Sequence, residues 1–231
     1  MSRHIARTLA AASLTALLAG HQLAAAAAVA NGGFEGPDVA SWTLKNPGDT
    51  SITGWTVVGN TISFQDNAAF GALGVVASEG QQFLELTGVV GRGGGVRSDA
   101  VATTAGATYQ LAFDLGAFFV AGQGSFGNVT VDLWIDGVSH GSFTNLLALA
   151  SPGSDWETQS LDFVATGAAT VLEMRSSLSA SSSNLGVGLD NVRLNVLSGP
   201  TPAVPEPGSA ALAGLGLAAM GLRWLQARRR P

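Results

Sequence analysis

Asp190 is the residue whose position asks most of its surroundings. Across Gly188–Val196, Val192, Leu194 and Val196 share one parity of an extended strand, while Asn191, Arg193 and Asn195 share the other. Asp190 falls on the apolar parity. A carboxylate there must be paired, hydrogen-bonded or metal-bound, because an isolated buried charge is very costly. Calcium, which takes about six to eight oxygens from carboxylates and carbonyls, is a fitting partner. A turn capped by Asp190, or an edge pair with Arg193, would satisfy the carboxylate equally well.

Trp134 breaks its strand's pattern in the other direction. Val129, Val131, Leu133 and Ile135 alternate with Asn128, Thr130, Asp132 and Trp134, so the indole shares the polar parity with Asp132 and sits close to Asp136. An exposed Trp flanked by carboxylates could stack on a sugar ring and hydrogen-bond its hydroxyls; the bland alternative packs it under a loop. Phe118, Phe119 and Phe126 fall in a glycine-rich stretch, Gly116 to Gly127, where they either line a binding rim or plug the end of a fold. Trp42 and Trp55 read as core or end-plug residues. Trp156, which opens a strand after Pro152-Gly153-Ser154-Asp155, fits either role.

Catalytic machinery is hard to assemble from what remains. His140 is the one histidine beyond the N-terminal leader, and it lies just past the Asp136-Gly137 turn, a poor place for a Ser-His-Asp triad. The chain has no cysteine, which removes thiol nucleophiles, zinc–thiolate sites and disulfides. Gly91-Arg92-Gly93-Gly94-Gly95 lacks the Lys-Ser/Thr and the helix of a phosphate loop, and reads as a turn. Acidic pairs for glycoside hydrolysis are numerous, but nothing in their spacing selects one. The residues alone therefore predict a protein that is not an enzyme.

The elements that must position these groups are strands. Tyr109, Leu111, Phe113 and Leu115 alternate with polar or small neighbours, as do Val129 to Ile135. Asp136-Gly137 turns the second run back into Val138 to Phe143. Ile52–Val58, Gln81–Thr87, Trp156–Val164, Thr170–Arg175 and Val187–Val196 complete the set, with one helical turn in Ala68–Val76. Short strands between Gly, Asn, Ser and Pro clusters predict an all-β, two-sheet antiparallel jelly-roll sandwich over residues 31–199. That region carries five basic and fifteen acidic residues, a net charge of −10. Such a charge argues against nucleic acid and is compatible with neutral sugars, cations or basic partners.

Both ends read as addresses. Arg3, His4 and Arg7 precede an apolar stretch and an alanine-rich segment, a secretory signal peptide over residues 1–30 for signal peptidase. Residues 200–231 hold a linker, the motif Val204-Pro205-Glu206-Pro207-Gly208-Ser209, an apolar helix over 210–225 and a basic end at 226–231 that includes Arg228, Arg229 and Arg230. The apolar run is short for a bilayer span and implies transient inner-membrane association. This tail resembles the PEP-CTERM sorting signal of Gram-negative bacteria. The resemblance implies an exosortase as processing partner, export across the inner membrane, and residence on the cell envelope surface or in the extracellular matrix.

Asn31-Gly32-Gly33-Phe34-Glu35, then Gly54-Trp55, and finally Asp190-Asn191-Val192 resemble, in that order, the galactose-binding-like jelly rolls of carbohydrate-binding modules and of choice-of-anchor C domains. The resemblance implies a structural calcium between Glu35 and Asp190, with Asn31 adding an oxygen, and no other cofactor. It also implies a non-catalytic role in binding or scaffolding extracellular polysaccharide. The alternatives are an adhesive protein that holds other surface proteins, and a glycan-active hydrolase.

Overall fold

The computed structural model of the chain describes residues 28–88, 93–120, 124–125, 128–146, 152–177 and 186–200. Fourteen strands run through these residues: β1 (Trp42–Lys45), β2 (Trp55–Gly59), β3 (Ile62–Asp66), β4 (Gln82–Glu85), β5 (Gly94–Ser98), β6 (Val101–Ala102), β7 (Thr108–Val120), β8 (Gly124–Ser125), β9 (Val129–Ile135), β10 (Val138–Asn145), β11 (Gly153–Val164), β12 (Ala169–Thr170), β13 (Leu172–Ser176) and β14 (Gly188–Ser198). A short helix, α1 (Asn67–Phe70), and a 3-10 turn (Gly71–Leu73) lie between β3 and β4, where a helical turn was expected.

The strands form an antiparallel sandwich. The larger sheet has the order β1-β3-β4-β14-β7-β11, with β8 paired to β7; the smaller has the order β10-β9-β13-β5-β2, and β6 and β12 pair separately. The period-two reading of the two central strands holds. Tyr109, Leu111, Phe113 and Leu115 of β7 and Val129, Val131, Leu133 and Ile135 of β9 all point into one core between the sheets. Tyr109 takes its hydroxyl into that core and uses it to accept the Thr104 N–H at 2.9 Å, so the buried phenol is satisfied.

Three expectations change. β7 runs on through Val120, so Phe118 and Phe119 belong to a strand and not to a glycine-rich loop; Phe126 lies outside the described residues. Gly94 and Gly95, read as part of a turn, open β5. Trp42, expected inside, is 51% exposed on the edge strand β1, whereas Trp55 is buried against Phe34 with ring centroids 5.2 Å apart. The signal peptide and the C-terminal apolar helix fall outside the described residues. Among the described residues no helix is long and apolar enough to cross a membrane.

Candidate functional site

The core-facing residues of β14 are Leu189, Val192 and Leu194, a spacing of three and then two. An unbroken strand would keep a spacing of two throughout. The extra residue is a bulge: Asp190 pairs with Asp114 of β7, the next matched pair is Arg193 with Ala112, and Asn191 takes a left-handed φ of 50°. Asp190 therefore leaves the apolar parity that the sequence suggests. It turns to the outer face of the larger sheet, beside Asp114, whose strand neighbours Phe113 and Leu115 face the core.

An outer face should be wet, yet Asp190 is 0% exposed and Asp114 7%. The connection from β3 to β4 covers them as a strap. Ser78 and Glu79 donate their backbone N–H groups to Asp190 Oδ2 at 2.9 and 3.0 Å, and the Asn191 N–H reaches Oδ1 at 2.6 Å. Asp114 accepts the hydroxyl of Ser78, the hydroxyl of Thr158 at 2.7 Å and the Asn191 side-chain amide at 3.0 Å. Arg193 stands 3.7 Å from Asp114 and is 37% exposed at the rim.

These surroundings pull the two carboxyls apart. Burial pushes Asp190 up to about 7, against the three N–H bonds and helped by the charge of Asp114. Burial also opposes ionisation of Asp114, but hydrogen bonds from Ser78, Thr158 and Asn191, with Arg193 nearby, outweigh it and hold Asp114 below the usual carboxylate range. One carboxyl able to carry a proton near neutrality thus sits beside one that stays ionised, the arrangement that separates acid from base.

Next to the pair lies an aromatic cluster on the same face. Phe83, Phe118 and Trp156 meet edge-on, with centroids 5.5 to 5.8 Å apart, under Val75 of the strap. Two glycines make room for them. A Cβ on Gly116 would lie 2.7 Å from Trp156 Cζ3, and one on Gly188 would lie 2.6 Å from Phe118 Cζ. The Trp156 indole N–H donates to the Val76 carbonyl at 2.9 Å and latches the strap. Phe118, a candidate rim residue, is a buried member of this cluster; Phe119, the next residue of β7, is half-buried.

The residues expected to hold calcium are hydrogen-bonded to backbone groups. The Asn31 side chain donates to the Gly36 and Thr53 carbonyls at 2.7 and 3.0 Å and accepts the Gly36 N–H at 2.9 Å. Glu35 Oε1 accepts the N–H groups of Gln81 and Gln82 at 2.8 and 3.0 Å, at the end of the same strap whose other residues bond to Asp190. The Val192 N–H reaches the Gly32 carbonyl at 2.8 Å, and the Trp55 indole reaches the Asn31 carbonyl at 3.0 Å. The Asn-Gly-Gly-Phe-Glu, Gly-Trp and Asp-Asn-Val motifs therefore knit the N-terminal segment to β14 and to the strap. Among the described residues no three or more acidic, His or Cys side chains converge as metal ligands.

Trp134 and Asp132 lie on the outer face of the smaller sheet, far from Phe118 in the topology. Trp134 is half-buried under the Arg175 guanidinium, 5.7 Å from the ring centroid, and Arg175 is held by Glu173 at 2.6 Å. Asp132 accepts the Ser142 hydroxyl. Sequence reasoning missed Asp114, Ser78 and Glu85. Glu85 is a third buried acid on the larger sheet, raised by burial and bonded by Thr87, Gly88 and Gly186. The sign of Asp114 was its place on the polar parity of a strand otherwise bound for the core, and nothing in the sequence marked the strap that covers it.

Comparison with known proteins places this architecture. The HpiC1-like family, described as HpiC1 cyclase, matches residues 25–195, and the PEP-CTERM protein-sorting motif matches residues 203–230. The tail marks an exosortase-sorted protein exported to the cell surface in Gram-negative bacteria. A choice-of-anchor C domain is not what the folded region matches. Among solved structures, a cyclase from Fischerella sp. TAU superposes with a TM-score of 0.57 at 19% identity, covering 78% of this chain and all of that one. A Stig cyclase, Fisc, from the same source, bound to (3Z)-3-(1-methyl-2-pyrrolidinylidene)-3H-indole, gives 0.54 at 19% identity over 77% of this chain and all of its own. A cyclase bound to 4-(1H-indol-3-yl)butan-2-one gives 0.52 at 20% identity over 74% and 96%. No protein of curated function matches the chain. The expectation of a protein that is not an enzyme is corrected by these matches, since both the family and the fold are those of cyclases. The poorly placed His140 and the lack of cysteine had argued otherwise, but a pair of carboxylates split by its surroundings needs neither. With nearly all of its folded region matched, the chain belongs to the HpiC1-like cyclase family.

Proposed function

We propose that this exported protein is an enzyme that moves a proton on a small organic molecule, with Asp190 as acid and Asp114 as the ionised partner. The observation that carries this reading is the side-by-side pair with opposite proton affinities, on one face, beside an aromatic cluster. Asp190 would give its proton to a heteroatom or double bond. Asp114 would stabilise the positive charge that develops or take a proton from the neighbouring carbon. The rings of Phe83, Phe118 and Trp156 suit a flat, aromatic ligand.

The indole ketone bound by the Fischerella cyclase is a suitable probe, because acid–base action on it exchanges the hydrogens next to its carbonyl with solvent. Incubation in deuterium oxide near pH 7 should label those positions at least about 100-fold faster with the native protein than with Asp190→Asn. Equal labelling by both proteins would defeat the proposal.

A second reading concerns the smaller sheet. Trp134, half-buried with Arg175 and Asp132 on the outer face of the smaller sheet, would give the exported protein a surface for extracellular polysaccharide. Retention on the producing organism's own polysaccharide, lost in Trp134→Ala, is the test; equal retention of the variant would remove this reading.

A further inference from the structure

The segment over the Asp114–Asp190 pair is tied down in an unusual way. From Val75 to Glu79 it contributes one wholly buried apolar side chain, Val75, while Val76 is exposed. Ala77 packs half-buried on the same cluster, and the rest of the hold is hydrogen bonding to the sheet and to Asn67 of the helix. Ser154 Oγ accepts the Val76 N–H at 3.2 Å and donates to the Val76 carbonyl at 3.0 Å. The Ser154 N–H reaches the Gly74 carbonyl at 3.2 Å, Trp156 holds the Val76 carbonyl, and Asp114 and Asp190 hold Ser78 and Glu79. Little buried apolar area and many replaceable polar contacts define a segment that opens at lower cost than the sheet beneath it.

Its two ends are suited to turning. Gly74 has φ of 81° and Gly80 φ of 64°, both in the left-handed region. Outside the glycines Glu35 holds Gln81 and Gln82; inside them Asn67 of the helix accepts the Ala77 N–H at 2.7 Å, one more hydrogen bond that opening exchanges for water. Lifting the five residues between the glycines would uncover Asp114, Asp190, Phe83, Phe118 and the indole N–H of Trp156 together, while leaving both sheets paired.

We propose that Val75–Glu79 is a lid, hinged at Gly74 and Gly80, that opens to admit a small molecule to the face carrying Asp114 and Asp190 and closes over it. Its motion stands on the geometry alone; only its purpose rests on the reading of that pair as the working acid and base. In the closed state the carboxylates and the indole spend their hydrogen bonds on the lid. In the open state those same groups face the ligand.

Two measurements on the full chain test this. Amide exchange of Ser78 and Glu79 should run at least about 100-fold faster than that of Leu189 and Leu115 in the strands below. Equal rates would show that the lid lifts only when the whole domain unfolds, and would overturn the proposal. Because the chain has no cysteine, a Val76→Cys, Ser154→Cys variant can form a single disulfide across the latch. Oxidation should slow exchange at Ser78 and Glu79 to the strand rates and weaken binding of 4-(1H-indol-3-yl)butan-2-one at least tenfold, with recovery on reduction. Unchanged binding in the locked form would also overturn the lid. Rapid, lockable exchange in a protein that ignores the ketone would keep the lid and count against the proton-transfer reading instead.

Discussion

Asp190 and Asp114 face each other across neighbouring antiparallel strands, and the single extra residue at Asn191 is what turns the first towards the second. Without that bulge Asp190 would share the core-facing parity of Val192 and Leu194. With it, the two carboxyls share a face, a covering strap and an aromatic neighbour, and their proton affinities diverge.

The first consequence is a pH-dependent stability with a definite sign. Asp190 binds its proton more tightly folded than unfolded. The stabilisation this brings is complete below the usual carboxylate range and is lost as pH rises through about 7. It amounts to roughly 4 kcal/mol at most. Asp114, held low, works in the opposite sense and costs stability as pH falls through the acid range. Thermal unfolding from pH 4 to 8 should therefore show a falling midpoint above pH 5. Asp190→Asn should flatten that fall while lowering the midpoint at pH 5, since an amide N–H₂ would face backbone donors at a cost of about 1–3 kcal/mol.

Gly188 and Gly116 form the floor on which Trp156 rests. Gly188→Ala should displace the Trp156 and Phe118 rings and cost about 1–3 kcal/mol, as overpacking usually does. Denaturant unfolding measures the loss, and the near-ultraviolet circular dichroism of the folded variant should change in the tryptophan region.

Excess chelator should leave the thermal midpoint unchanged. Asn31, Glu35 and Asp190 are each held by backbone groups at 2.6 to 3.0 Å. A midpoint that falls on chelation and recovers on adding calcium would show that these residues present their oxygens to a metal.

Replacing Pro205-Glu206-Pro207 by alanines should leave an unprocessed precursor in the inner membrane, because the sorting motif spans residues 203–230. Fractionation followed by mass measurement of the C-terminus reads this directly.

The fold was legible where period two governs. β7 and β9 follow their apolar parity residue for residue, and the Asp136-Gly137 turn joins β9 to β10. It was not legible where context overrides local pattern. β1 and β3 are short and mixed in polarity, and β5 begins with two glycines, so propensity says little about them. At the site, Asp190 announced itself as a misplaced charge, but parity counting sent it to the wrong face because a bulge adds a residue that alternation cannot see. Asp114 looked like an ordinary solvent-side acid. What makes it part of a site is a strap more than thirty residues away in sequence, bonded through Ser78, and no local pattern carries that information.

Carbon-13 NMR titration of the aspartate carboxyls measures directly how differently these two neighbours hold their protons. One resonance, absent from Asp190→Asn, should titrate near pH 7, while the Asp114 resonance should remain that of a carboxylate down to the acid range. If both carboxyls titrate together below about pH 5, the pair is an ordinary couple of structural acids and the account fails.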